Sequence, residues 1–186
     1  RSMSWLHTYH NRIVSAEEAV ESIQSGNRVF LTGNSSVPQV IMKALVERAM
    51  SLSNVEITQV LTIGSANYTD PKLEGHLRVN TLFVSDNVRA AVNEGRADFT
   101  PCRLGEIPLL FSSGALPLDV ALIHVTPPDE HGFCSFGVEV GVTKAAAQNA
   151  KIVIAELNPN MPRTLGDSFI HISRIHKIVP VNYPLP

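Results

Sequence analysis

The sequence predicts an α/β fold: an open, Rossmann-like and mostly parallel sheet with helices on both faces. Three observations carry this. The runs VALIHV at 120–125 and IVIAEL at 152–157 are near-continuously apolar, as strands buried on both faces must be. Such runs alternate along the chain with stretches of helical period. The chain has 186 residues, 44% of them hydrophobic and 17% charged, enough to bury a core on each side of a sheet.

Element by element, Ser15-Ala16-Glu17-Glu18 is a capping box, in which the Ser15 hydroxyl accepts from an otherwise unpaired first-turn amide. Ala16, Ala19, Val20 and Ile23 then follow on one helical face, and Gly26 supplies a left-handed terminator. RVFLT at 28–32 reads as a buried strand broken by the 33–38 loop. Ile41, Ala44, Leu45 and Ala49 trace a second helix face, with Pro38 fitting its first turn. Further strands are expected at 55–63 and 79–85, a helix at 86–94, strands at 120–125 and 152–157, and a helix at 143–149 between those two. Residues 133–141 alternate and carry glycines, which suits a hairpin or an excursion from the sheet. Residues 1–179 are read as one domain, and 180–186, rich in proline and uncharged, as the start of an interdomain linker.

Composition excludes several function classes. Fifteen Lys and Arg against 17 Asp and Glu give a net charge of −2 with no basic run, so phosphate neutralisation on nucleic acid is set aside. The low charge fraction suggests a surface covered by another domain or subunit, and a homo-oligomer is expected. Cys102 and Cys134 form no C-x-x-C pair, so neither a disulfide framework nor a zinc knuckle is encoded, and both read as buried small hydrophobes. No apolar run reaches the roughly 20 residues of a membrane span, and a reducing, cytoplasmic setting fits this cysteine usage. His7/His10 and His171/His176 lack companion ligands, so no metal is expected.

Three segments follow strands and could carry chemistry. Gly33-Asn34-Ser35-Ser36-Val37-Pro38 lies between a strand's carboxyl end and a helix's amino end, where free N–H groups and the helix dipole can hold a carboxylate, phosphate or oxyanion. It is neither a P-loop nor a dinucleotide fingerprint, and a tight strand-to-helix turn explains it equally well. Thr126-Pro127-Pro128-Asp129-Glu130-His131-Gly132 follows the 120–125 strand. Asp129 and Glu130 are read there as a solvated turn, and His131 as either functional or a loop anchor. His124, inside the strand, reads as a core histidine. Residues 158–168 contain Asn158, Asn160, Arg163, Thr164 and Asp167; Arg163 either binds an anionic ligand or braces a neighbouring loop through an Arg163–Asp167 pair, bracing being favoured.

Taken together in order, four segments resemble the amino-terminal half of the acetyl-CoA hydrolase/transferase family, which includes the 4-hydroxybutyrate CoA-transferases. They are the 33–38 loop, Phe99-Thr100-Pro101 with Leu104-Gly105-Glu106-Ile107-Pro108, the 126–137 stretch, and Glu156-Leu-Asn-Pro-Asn-Met-Pro-Arg-Thr-Leu-Gly-Asp-Ser. The resemblance implies two similar α/β domains with the active site between them, of which this chain forms one wall. It implies CoA transfer from an acyl-CoA to a small carboxylate, or to water, through an acyl–glutamyl anhydride and a glutamyl–CoA thioester. The attacking Glu belongs to the second domain; neither Glu106 nor Glu156 matches it, so no catalytic nucleophile is assigned. The same likeness implies that Gly33, Asn34, Ser35, Ser36 and Pro38 line the acyl or carboxylate pocket, supported by His131, Asn160, Arg163 and Thr164. Coenzyme A enters as substrate and product, with no permanently bound cofactor. Two other readings compete: a non-catalytic acyl-CoA-binding or regulatory module, and a sugar-phosphate isomerase-like enzyme, for which no phosphate clamp is evident.

Overall fold

In the computed structural model, which describes residues 4–33, 37–60, 70–82, 97–99, 106–137, 142–163 and 169–185, the apolar runs lie side by side. Seven strands form one sheet: β1 (Arg28–Leu31), β2 (Val55–Gln59), β3 (Leu77–Thr81), β4 (Ala97–Phe99), β5 (Val120–Val125), β7 (Ile152–Leu157) and β9 (Lys177–Pro180). Their order is β4-β3-β2-β1-β5-β7-β9, and every pairing is parallel. The chain therefore winds outward from β1 to β4, returns beside β1 as β5, and winds outward the other way. The direction of winding reverses between β1 and β5, and open sheets of this kind bind ligands outside the carboxyl ends of the strands at such a reversal.

Side-chain alternation divides the core into two layers. Val29, Leu31, Val120, Leu122 and Ile154 pack with α2 (Ala16–Val20) and α3 (Gln39–Arg48). Phe30, Ala121, Ile123, Val125, Val153, Ala155 and Leu157 pack with α4 (Ile107–Ser112) and α5 (Val142–Asn149). The amino-terminal helix α1 (Ser4–Tyr9) lays Trp5 and Tyr9 against this second layer. Because β5 and β7 are packed on both faces almost throughout, their runs show little polar alternation, whereas Glu56 of β2 is half-buried and Arg78 of β3 is exposed.

Local chemistry sets the element ends. Ser15 accepts from the Glu18 N–H at the start of α2, as the capping box requires. The helix closes at Val20, earlier than the apolar spacing suggests, because Glu21, Ser22 and Ile23 donate to carbonyls three residues back and wind the last turn tight. Ile41, Ala44, Leu45 and Ala49 are all buried, and Pro38 stands just before α3 as its cap rather than within its first turn. β3 begins two residues before the expected 79, where Leu77 pairs with Val55. β2 runs from Val55 to Gln59; the rest of the expected 55–63 strand from 61 onward, and the 86–94 helix, lie outside the described residues.

Of the 133–141 segment, residues 133–135 leave the main sheet: β6 (Phe133–Ser135) pairs antiparallel with β8 (Phe169–His171) in a separate two-stranded sheet, and 138–141 lie outside the described residues. Sequence reading missed α1, α4, β4, β8 and β9, all of them short. It also took 180 onward as linker, whereas Pro180 closes β9 opposite Leu157 and the Val181 N–H donates to the Leu157 carbonyl. A proline is tolerated there because β9 is an edge strand. No helix among the described residues is long and apolar enough to cross a membrane.

Candidate functional site

Buried polar side chains gather at one end of the sheet. Thr32 follows β1, Thr58 and Gln59 end β2, Asn80 and Thr81 end β3, His124 and Thr126 end β5, and Glu156 and Asn158 end β7. All lie at the carboxyl edge, where the 33–38, 126–132 and 158–163 segments also emerge. Burying so many polar groups is costly unless they are hydrogen-bonded, and their concentration at one edge marks it as the functional end.

At the reversal between β1 and β5, Gly33 and Pro38 are both buried at the two ends of their loop; Asn34, Ser35 and Ser36 lie outside the described residues. The amino end of α3, expected to be open to an anion, is occupied by the protein itself. Glu156 Oε2 accepts from the Ile41 N–H at 2.8 Å, and the Val40 N–H also donates to this carboxyl group. Oε1 accepts from the Tyr183 hydroxyl at 2.5 Å, and the Gln39 N–H donates to that hydroxyl at 3.2 Å. Burial pushes the Glu156 carboxyl up to about 7, against the opposing pull of these donors. The same burial raises the Tyr183 phenol, and the neighbouring Glu156 raises it further.

In the 126–132 turn, Asp129 is structural rather than merely solvated. Its Oδ1 accepts from the His131 and Phe133 N–H groups, and Gly132 adopts φ +87° to close the turn. The Phe133 N–H foremost holds the Asp129 carboxyl below its ordinary range. The His131 ring stands in solvent, 3.5 Å from Glu130, while its carbonyl lies 3.1 Å from His171 Nε2. His131 is thus placed as a loop anchor through its backbone, and its imidazole does not join the other candidates.

Arg163 does brace a neighbouring loop, the 126–132 turn. Its Nη2 donates to Thr126 Oγ1 and to the Pro127 and Phe133 carbonyls at 3.0, 2.8 and 3.1 Å, and its Nη1 lies 3.8 Å from Asp129. Asp167, the partner expected from sequence, and Thr164 lie outside the described residues. Asn160 Nδ2 donates to the Tyr183 carbonyl at 3.1 Å and to Asn182 Oδ1 at 2.7 Å. Tyr183 and Arg163 together therefore tie the start of α3, the loop after β7 and the turn after β5 into one structure: Tyr183 joins Gln39 to Asn160, and Arg163 joins the same loop to the turn after β5. His124 is buried on β5, its ring 5.6 Å from that of Tyr183, and the Cys134 thiol is buried and pushed up to about 12, an unreactive small hydrophobe. Cys102 lies outside the described residues.

Sequence reading passed over Glu156 and Tyr183 as site components. A usable signal existed for the first, since a glutamate inside a strand apolar on both faces demands a buried partner. None existed for the second, whose role depends on where the 181–185 segment runs.

Among the described residues of this edge, the carboxyl groups of Glu156 and Asp129 are already hydrogen-bonded within the protein, while Glu130 stands exposed on the turn. A family model described as the acetyl-CoA hydrolase/transferase N-terminal domain matches residues 2–183. The 4-hydroxybutyrate coenzyme A transferase of Clostridium kluyveri is 47% identical over 183 residues, covering 98% of this chain and 43% of the relative. A succinyl-CoA:acetate/propanoyl-CoA:succinate CoA transferase of Fasciola hepatica is 44% identical over 163 residues, covering 87% of this chain and 34% of that protein. The crystal structure of a 4-hydroxybutyrate CoA-transferase from Porphyromonas gingivalis superposes with a TM-score of 0.82 at 33% identity, over 98% of this chain and 42% of that one. The chain thus spans less than half the length of each of these relatives.

Proposed function

Because this chain belongs to the acetyl-CoA hydrolase/transferase family, we propose that it forms the amino-terminal wall of the active site of an acyl-CoA:carboxylate CoA-transferase. The other wall is a second, carboxyl-terminal domain, the first including β9 and the 181–185 segment that packs onto it. The observation that carries this reading is the 47% identity to a named CoA transferase, confined to 43% of that protein's length. The names of the relatives favour a carboxylate acceptor over water.

In the proposed reaction a glutamate of the second domain attacks the acyl-CoA thioester and expels the CoA thiolate, leaving an acyl–glutamyl anhydride. The thiolate returns to the glutamyl carbonyl and releases the carboxylate product, and the acceptor carboxylate then takes the CoA by the reverse steps. Two acidic groups of the described carboxyl edge support placing that nucleophile elsewhere: Glu156 is fully buried with both oxygens engaged, and Asp129 holds its own turn. This chain contributes the 33–38 loop and the Asn160–Arg163–Thr164 segment as pocket lining, with the turn at His131 supporting them. Coenzyme A is substrate and product, the protein acts in the cytoplasm, and it assembles as a homo-oligomer.

The test is transfer from butyryl- or 4-hydroxybutyryl-CoA to acetate by the full-length polypeptide that carries residues 1–186. Turnover is expected, together with a covalent glutamyl–CoA adduct, detected by mass spectrometry on a peptide outside these residues. Robust acetyl-CoA cleavage by residues 1–186 alone, abolished by a change at His131 or Glu156, would overturn the reading.

A further inference from the structure

We propose that Glu156 is a positioning residue which, with Tyr183, locks the amino end of α3 and the closing 181–185 segment into one unit at the edge of the substrate pocket. The proposal rests on the CoA-transfer reading for its substrate and on local geometry for everything else.

The need for such a residue follows from α3 itself. Its capping position is Pro38, which has no side chain able to accept a hydrogen bond, and no acidic residue lies in its first turn. The first amides of a helix have no intrahelical acceptor and require one from elsewhere. Here Gln39, Val40 and Ile41 donate successively to the Tyr183 hydroxyl and the Glu156 carboxyl group, the latter 115 residues away in sequence from Ile41. Glu156 reaches them because it shares strand parity with Ile154, on the face that packs α3, and β7 ends directly below the helix start.

The clamp is closed from the other side by the chain's last described residues. Asn158 and Asn160 both donate side-chain N–H groups to the Tyr183 carbonyl, so the tyrosine is held at its backbone by the loop after β7 and at its hydroxyl by Glu156. Of the elements packed around the carboxyl group, β5 contributes His124, its register partner, the closing segment contributes Tyr183, β9 contributes the apolar Val179 opposite it, and the first turn of α3 contributes only amides. The positive end of the helix is thereby matched by an internal carboxyl group, so the first α3 amides are engaged within the protein rather than left to bind the substrate's carboxylate.

The test compares Glu156→Gln and Tyr183→Phe with a control, Leu118→Ala, in the full-length polypeptide. Leu118 is buried in the opposite core layer, just before β5, and reports loss of stability alone. Amide exchange at Val40 and Ile41 and at 181–183 is expected to accelerate together, at least tenfold, in both clamp variants and not in the control. KM for the acyl-CoA is expected to rise about tenfold with kcat lowered less than threefold, and the double variant to be no worse than the poorer single one. Unchanged exchange at 40–41 in Tyr183→Phe, or exchange and KM effects equal to those of Leu118→Ala, would overturn the proposal. Coupled exchange without any CoA transfer by the wild type would sustain the clamp and defeat only the function proposed above.

Discussion

Arg163 illustrates how one side chain at this site serves the architecture first. Its guanidinium is about a third exposed and donates to three acceptors of the 126–133 turn, so Arg163→Ala is expected to cost about 2 kcal/mol, a typical sum for such bonds. In a double-mutant cycle with Asp129→Ala, followed by urea denaturation, the two losses should fail to add by at least about 0.5 kcal/mol; strict additivity would show that the two residues hold the turn independently. Gly132 is equally constrained, because a Cβ there would come 2.6 Å from His171 Nε2 and the backbone lies at φ +87°. Gly132→Ala should lower stability by roughly 1–3 kcal/mol, and His171→Ala in the same chain should recover only the part due to the clash. Glu156 bears on pH. Its carboxyl in the folded state is raised from 4.5 to about 7 by burial, so the neutral form is favoured on folding. The associated stability is fully present below 4.5 and lost as pH rises through 7, by up to about 3 kcal/mol. A thermal melting series from pH 5 to 8 should show this decline in the wild type and a flatter profile in Glu156→Gln.

At the scale of elements, α3 depends on tertiary anchors at both its face and its end. Leu45 is fully buried in the first core layer, whereas Met50, just beyond the helix, is 63% exposed. Leu45→Ala should therefore cost 2–5 kcal/mol and Met50→Ala no more than about 0.5 kcal/mol, a contrast that chemical denaturation can read directly. The helix face was legible because apolar residues at 41, 44, 45 and 49 recur at helical period. Its end was not, because the acceptors of its first amides come from β7 and from the closing segment. The same division holds for strands: β5 and β7 were readable to the residue as near-continuous apolar runs, while β4, β8 and β9 are three or four residues long and owe their strand conformation to the neighbours they pair with.

For the whole molecule, both core layers share the same central strands, with Val29 and Leu31 facing one way and Phe30 the other. Damage to either layer should lower one common transition. Ile123→Ala in the second layer is thus expected to shift near-ultraviolet dichroism and Trp5 fluorescence together, as Leu45→Ala does from the first; separated transitions would mean that the layers unfold independently. The sequence by itself determined the fold class, the two central strands, the α3 face and the family, because periodicity and runs of motif residues are local properties of the chain. It also located the three loops, since turn formers follow strands in order. Only the tertiary structure decided what those loops do together. Arg163 turned out to grip the turn after β5, and Glu156 and Tyr183 to cap a helix far away in sequence, because a buried polar group takes whichever partner the packing brings within about 3 Å, and strand order together with the course of the 158–163 and 181–185 segments sets which partners those are.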